Sequence, residues 1–463
     1  MPHADTIQYS IFKLTVASAA LLALFAADNS RSIEAKEKPD LDSQLLALLL
    51  QHEVTPIDIP DHENNLVQLG QALFFDRILS GNRDIACATC HHPLLATGDG
   101  LAFPVGTGTP TIGALGFFRE KGDGREFVPR NAPEVFNRGS VHWTSQFWDS
   151  RIEVSNGVLL TPAGADLPSG LSTVLAAQAM FPVTSRDEMR GSLTDVLSGN
   201  ELAAIPDQNL PAMWEALMIR LLSTDGYPQL FSEAYPNIPE KDLGFEHAAT
   251  AIAAFEAEAF GYDDSPFDNY LRGDNEALDD TQKRGAILFY GKANCASCHA
   301  GTLLTDQKHY NLGIPQLGPG KDPATGLDFG RFGITGDPND LFRFRTPPLR
   351  NVTATGPWMH NGAYSDLRDA VKHHLDAVKY LHIYQPQKQL DQPELWETVV
   401  DDEETNDLLT EDLDLSPSRL NGRELKDLMA FLESLTAPHL HNRLFLTIPS
   451  SVPSGLLEDG IPE

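Results

Sequence analysis

The sequence predicts a mostly α-helical protein in which one small helical unit occurs twice, joined by long loops. Three observations carry that reading. Apolar residues recur at helical spacing in Leu45–Leu50, Phe245–Phe260 and Leu420–Leu435, while alternating strand patterns are weak. A similar helical lead-in occurs twice, as Gly70-Gln-Ala-Leu73-Phe74 and Gly285-Ala-Ile-Leu288-Phe289, each shortly before a Cys-x-x-Cys-His sequence. Residues 98–124 are rich in Gly, Thr and Pro and read as loop. The first unit is expected over residues 50–270 and the second over 275–440. The stretch from Ile152 to Thr173 has no clear period, so its elements are left unplaced. The acidic run Asp401, Asp402, Glu403, Glu404, Asp407, Glu411 and Asp412 reads as a solvated insertion, with nothing in the sequence to support a docking role.

A chain of 463 residues is long enough for two or three cores. Its formal net charge of −31 disfavours nucleic acid or an anionic membrane surface as a partner, because phosphates would be repelled. A protein partner would most simply present a basic patch. At the N-terminus, Lys13 precedes the uncharged, largely apolar stretch Leu14–Ala27 (LTVASAALLALFAA). That is the length of a signal-peptide core and shorter than the ~20 residues of a membrane span. Residues 1–27 are therefore expected to be an export signal or, if uncleaved, an N-terminal anchor. In either case the folded part belongs outside the cytoplasm, and a periplasmic location is expected.

The four cysteines decide the chemistry. Two local disulfides or a zinc site made of two Cys-x-x-Cys pairs are the plain alternatives. Both leave unexplained the residue after each pair: Cys87-Ala-Thr-Cys90-His91 and Cys295-Ala-Ser-Cys298-His299. With 15 histidines in the chain, a histidine following both pairs by chance has odds of roughly one in a thousand. CxxCH is the attachment sequence of haem c. On a helical turn, residues three apart share a face, so both thiols reach the vinyl groups of one porphyrin. The next histidine then offers its imidazole to the iron. Two covalently bound haems c are expected, one on each cytochrome c-like domain, and all four cysteines are used.

Further blocks resemble one family. Gly70–Phe74, the Leu79-Ser80-Gly81-Asn82 turn and the first CxxCH resemble the entry segment of bacterial dihaem cytochrome c peroxidases and MauG proteins. Pro129-Arg-Asn131-Ala-Pro133 with Gln146-Phe-Trp148-Asp-Ser-Arg151 is a second match. Arg345-Thr-Pro-Pro-Leu-Arg350-Asn-Val352 running into Met359-His360-Asn361-Gly362 is a third. The resemblance spans roughly residues 65 to 436. It implies two cytochrome c-like domains, a calcium ion between them, a peroxide-reactive N-terminal haem and an electron-relaying C-terminal one.

It also implies roles. A distal histidine normally lies shortly before the Pro-Arg-Asn block, yet residues 94–140 hold no His, Met or Cys. The first haem is thus expected to be five-coordinate at rest, as in MauG-type members. Glu188 lies six residues after Pro182, matching the family's catalytic glutamate, and Gln178 matches the glutamine that would orient it. As a bland alternative, Glu188 is a surface carboxylate beside Arg186, Asp187 and Arg190. Trp148 matches the tryptophan placed between the haems, and it could equally be simple core packing. For the second haem, the sixth ligand of the family lies fourteen residues after the histidine of the Met-His-Asn-Gly block. That position is His374, where relatives carry Met or Tyr, so a bis-histidine haem of lowered potential is expected. His373 and Met359 are the alternatives. The calcium donors implied are Asn131, Thr355 and Pro357, the last two through backbone carbonyls.

Three functions follow from this reading. The first is reduction of hydrogen peroxide with electrons from a small periplasmic cytochrome or cupredoxin. The second is MauG-like oxidation of a protein substrate through a high-valent haem pair. The third is a dihaem electron carrier without chemistry of its own, which would want both irons six-coordinate and is disfavoured by the ligand-free stretch and Glu188. The segment between Trp148 and Gln178 is a candidate lid or docking element.

Overall fold

The computed structural model describes residues 40–456 and 459–460. The export stretch from Lys13 to Ala27 lies outside the described residues. The helices that build the cores and position the sites are α1 (Leu41–Gln51), α2 (Asn64–Phe75), α3 (Val174–Ala179), α4 (Phe245–Ala259), α5 (Asp280–Tyr290), α6 (Leu367–Leu375), α7 (Glu403–Glu411), α8 (Gly422–Glu433) and α9 (Leu440–Phe445). Their starts follow from local chemistry. Asp40 accepts from Ser43 N at 2.8 Å to open α1, and Thr173 accepts from Ala176 N at 3.1 Å to open α3. Reciprocal capping boxes, Asp279 with Gln282 and Asn421 with Glu424, open α5 and α8.

Two cores are built on the same crossing of helices. In the first, α2 lies on α4 at Gly70, where a Cβ would sit 1.9 Å from the Ala251 carbonyl oxygen. In the second, α5 lies on α8 at Gly285, where a Cβ would sit 1.9 Å from the Asp427 carbonyl oxygen. Only glycine permits either approach. The phenylalanine four residues after each glycine then meets its counterpart: Phe74–Phe255 at 5.3 Å and Phe289–Phe431 at 5.1 Å between ring centroids. The recurrence read in the sequence is therefore a recurrence of packing.

The chain ends cross between the cores. Leu45 and Leu49 of α1 are buried in the second core, ahead of the residue where the first unit was expected to start. Leu440 of α9, at the expected end of the second unit, and Leu444 and Val452, past it, are buried in the first core. Ser454 Oγ donates to Asp76 Oδ1 at 2.6 Å, and Asp459 accepts from Arg77 Nε at 2.9 Å and from the Thr89 hydroxyl. Thr89 belongs to the first CxxCH turn, so the end of the chain straps that motif.

The unplaced stretch from Ile152 contributes two strands to a small sheet in the order β1 (Ser145–Gln146), β2 (Ile152–Ser155), β3 (Val158–Leu160), antiparallel throughout. Asn156 and Gly157 turn the hairpin with φ of 52° and 77°. Asn-Gly is the residue pair that such a two-residue turn requires. Residues 98–124 are irregular apart from one turn at Gly116–Phe118. The acidic run forms α7, capped by Asp402 and anchored by buried Leu409. Among the described residues no helix is long and apolar enough to cross a membrane.

Candidate active site

Two cavities open on the two CxxCH turns. The first is lined by Cys87, Cys90, His91, Gln178 and Glu188, and the second by Cys295, Cys298, His299, Met359 and His374. Trp148 lines both. It is held there by its indole N–H, which donates to the Asn131 carbonyl at 3.0 Å. No disulfide joins either cysteine pair, and burial pushes all four thiols up.

The histidines are prepared as ligands. His91 Nδ1 lies 3.3 Å from the Thr97 carbonyl, His299 Nδ1 3.2 Å from that of Leu304, and His374 Nδ1 2.9 Å from that of Ala370. A carbonyl can only accept, so each Nδ1 carries the proton and each Nε2 keeps its lone pair. Burial lowers His91 and His299 to about 4 and lowers His374 as well, so all three rings are neutral, as metal ligation requires. The His299 and His374 ring centroids are 6.4 Å apart. His373 is different: its Nε2 donates to the Leu312 carbonyl at 2.8 Å and its Nδ1 accepts from the Tyr364 hydroxyl at 2.8 Å. Both of its nitrogens are occupied. These donor sets, a thiol pair and a neutral imidazole facing each cavity, fit a haem c in each.

Glu188 sits on a single π-helical turn, Arg186–Arg190. Such turns are uncommon and are enriched at functional sites. The turn is clamped by backbone: Gly81 N donates to Met189 O at 2.8 Å and Thr107 N to Glu188 O at 2.9 Å. A Cβ on Gly106 would lie 1.8 Å from the Asp187 carbonyl oxygen, so glycine there admits the clamp. Burial raises the Glu188 carboxyl above its ordinary range, with Arg151 and Lys321 pulling it partly back. Gln178, on α3, faces the same cavity, but no hydrogen bond joins it to Glu188 among the described residues. Met189 also lines this cavity, and the sequence reading did not single it out. The loop containing Lys121–Phe127 does not line it; Arg125 of that loop is tied to Asp195 instead, at 2.9 Å.

Asn131, Thr355 and Pro357 all line the second cavity. The Asn131 amide nitrogen donates to the Leu101 carbonyl at 2.9 Å. Among the described residues no donor reaches the Asn131 side-chain oxygen or the Thr355 and Pro357 carbonyls. Oxygen donors are what a hard cation takes, six to eight of them for calcium. Sequence reading also passed over Glu134, Arg138, Glu256 and Arg345, all lining the first cavity. Arg345 heads one of the matched blocks, which was the signal available.

The solved structures define the class. The chain resembles a MauG-like protein associated with microbial copper homeostasis, with TM-score 0.57 and 25% identity over 85% of this chain and 97% of that one. It shares the fold of the diheme peroxidase BthA of Burkholderia thailandensis, with TM-score 0.54 and 21% identity over 89% of this chain and 96% of that one. A family model for di-haem cytochrome c peroxidases matches residues 64–276. The cytochrome c551 peroxidase of Pseudomonas aeruginosa is 33% identical over 66% of this chain and 70% of its own. The methylamine utilization protein MauG of Methylorubrum extorquens is 29% identical over 86% of this chain and 87% of its own. The chain belongs to the di-haem cytochrome c peroxidase family and is an oxidoreductase of the peroxidase class.

Proposed function

We propose that this protein reduces hydrogen peroxide to water in the first cavity, using electrons that a small basic cytochrome or cupredoxin delivers through the second. The observation that carries this reading is that Glu188, Gln178 and His91 converge on one cavity whose wall, Trp148, also lines the other. Haem c attached at Cys87 and Cys90 supplies the redox-active iron at which the O–O bond is cleaved. Glu188 takes the proton from the near oxygen of peroxide and returns it to the departing one, and its burial keeps that proton from bulk water. Gln178, facing the same cavity, would orient the bound peroxide. His91, with its neutral ring, would supply a nitrogen ligand to that iron.

His299 and His374 would hold the second haem, and the indole of Trp148, which lines both cavities, would carry electrons between them. Asn131, Thr355 and Pro357, which line the second cavity, would offer oxygens to calcium. The MauG-like reading, oxidation of a residue on a partner protein, draws on a MauG relative that matches 86% of this chain, while a cytochrome-c peroxidase relative matches 84% of it. An export signal at residues 1–27 would place the enzyme in the periplasm. Low-temperature EPR of the oxidised holoprotein tests the proposal. The expected result is one high-spin and one low-spin ferric signal, the high-spin one lost on adding one equivalent of peroxide. Two low-spin signals indifferent to peroxide, before and after partial reduction, would leave only electron carriage.

A further inference from the structure

The partition between the cavities holds more fixed positive charge than the chain supplies negative charge to match. Arg345 is 2% exposed and lines both cavities. Its Nε donates to the Phe147 carbonyl at 2.9 Å and its Nη1 to the Thr346 carbonyl at 3.3 Å, and it forms no salt bridge among the described residues. Arg138 is 3% exposed and lines the first cavity. Its Nη2 is held by Glu134 at 2.9 Å, but its Nη1 is buried without a hydrogen-bond partner. Trp143 gathers both guanidinium groups, 4.3 Å and 5.0 Å from its ring. Nearby carboxyls do not balance them. Glu134 is already paired with Arg138, Asp149 is shared between Arg130 and Arg151, and burial raises Glu256 to about 8, which leaves it neutral at pH 7. Gln146 Nε2 is a second buried donor without a partner facing the first cavity.

A buried cation without an anion costs several kcal/mol, so an anion must enter from the cavities. Haem brings carboxylates into each. We infer that Arg345 and Arg138 form an anion clamp for haem propionates, with Arg345 shared between propionates of the two haems. The inference rests on the reading that one haem is attached at each CxxCH. Guanidinium is suited to it, because its planar fork can serve two carboxylates at once. A fixed positive charge beside both propionates favours the reduced iron in each cavity, so one side chain raises both potentials together.

The test is a spectroscopic redox titration of the holoprotein beside Arg345→Met and Arg345→Lys, with attached haem counted by mass. The clamp predicts that both midpoint potentials fall in Arg345→Met and fall less in Arg345→Lys, which keeps the charge and loses the fork. Movement of one potential alone, or of neither, would overturn it. Should Arg345→Met fail to accumulate, resonance Raman of Arg345→Lys is read in the propionate-bending region. Shifts in the bands of both haems support the clamp, and unshifted bands overturn it. Two haems per unsubstituted chain establish the underlying reading independently of the potentials, whereas fewer than two would remove that reading and the clamp with it.

Discussion

The imidazoles of His299 and His374 face each other across the second cavity with ring centroids 6.4 Å apart and planes at 58°. Two imidazoles binding one metal through Nε2 at about 2.0–2.1 Å each have centroids roughly 6.3 Å apart. The pair is thus spaced for an iron between them. His373, with both nitrogens already hydrogen-bonded, is held out of that role. His374→Ala is expected to convert the second haem's low-spin EPR signal to high-spin, and His374→Met to keep it low-spin at a higher potential. His373→Ala should leave the signal low-spin. Loss of the low-spin signal in His373→Ala but not in His374→Ala would reverse the assignment.

Glu188→Gln removes the proton carrier and keeps the shape. Peroxide turnover should fall by about 10²–10⁴-fold, the usual worth of a positioned acid–base group, with the resting haem spectrum unchanged. The carboxyl must be ionised to take the first proton, and burial raises it. Turnover should therefore decline as pH falls, with a midpoint above the ~4.3 of an ordinary glutamate. The variant should lose that limb of the profile. A profile retained in Glu188→Gln would assign it to another group.

Glu256 offers a stability test on the opposite sign. Burial raises it to about 8, so the folded state favours the protonated form. Such a group contributes its stability fully below the unfolded value near ~4.3 and loses it as pH rises toward the folded one. Relative to the wild type, Glu256→Gln should gain stability from pH 5 to pH 8, on the order of 4–5 kcal/mol by the upper end. At pH 4 the two should be close. Chemical denaturation at these pH values checks it, and a difference independent of pH would contradict it.

Arg77 and Asp459 form an ion pair with both side chains 2% exposed. Removing one partner strands the other, so Asp459→Ala should destabilise the protein by about 3–5 kcal/mol. Because Asp459 also holds Thr89 within the first CxxCH turn, the loss should appear first at that haem. Hydrogen exchange is expected to rise around residues 77–92 before it rises around 285–299. Uniform loosening of both motifs would show that the strap has no local role.

The parts of this architecture that were legible beforehand are those written in local sequence. CxxCH names its own chemistry, and Gly70 and Gly285 announced a recurrence that proved to be two equivalent helix crossings. The hairpin turned by Asn156-Gly157 is left unplaced by the sequence, because its strands of four and three residues are too short for alternation to show. What was not legible depends on partners remote in the chain. Hydrophobic spacing marks Leu45 and Leu440 as buried without saying in which core. The choice between His373 and His374 turns on Tyr364 and Leu312, which only folding brings into reach. Arg345 looks like any cation until its lack of a carboxylate is seen.

The crossed ends have a consequence for how the protein is made. The second core draws its buried apolar residues from between Leu45 and Leu435. The first core closes only when the segment from Leu440 to Asp459 has arrived. Until that segment arrives, Arg77 and Thr89 lack the carboxylate that ties them down, so the first CxxCH turn is sealed later in the growth of the chain than the second.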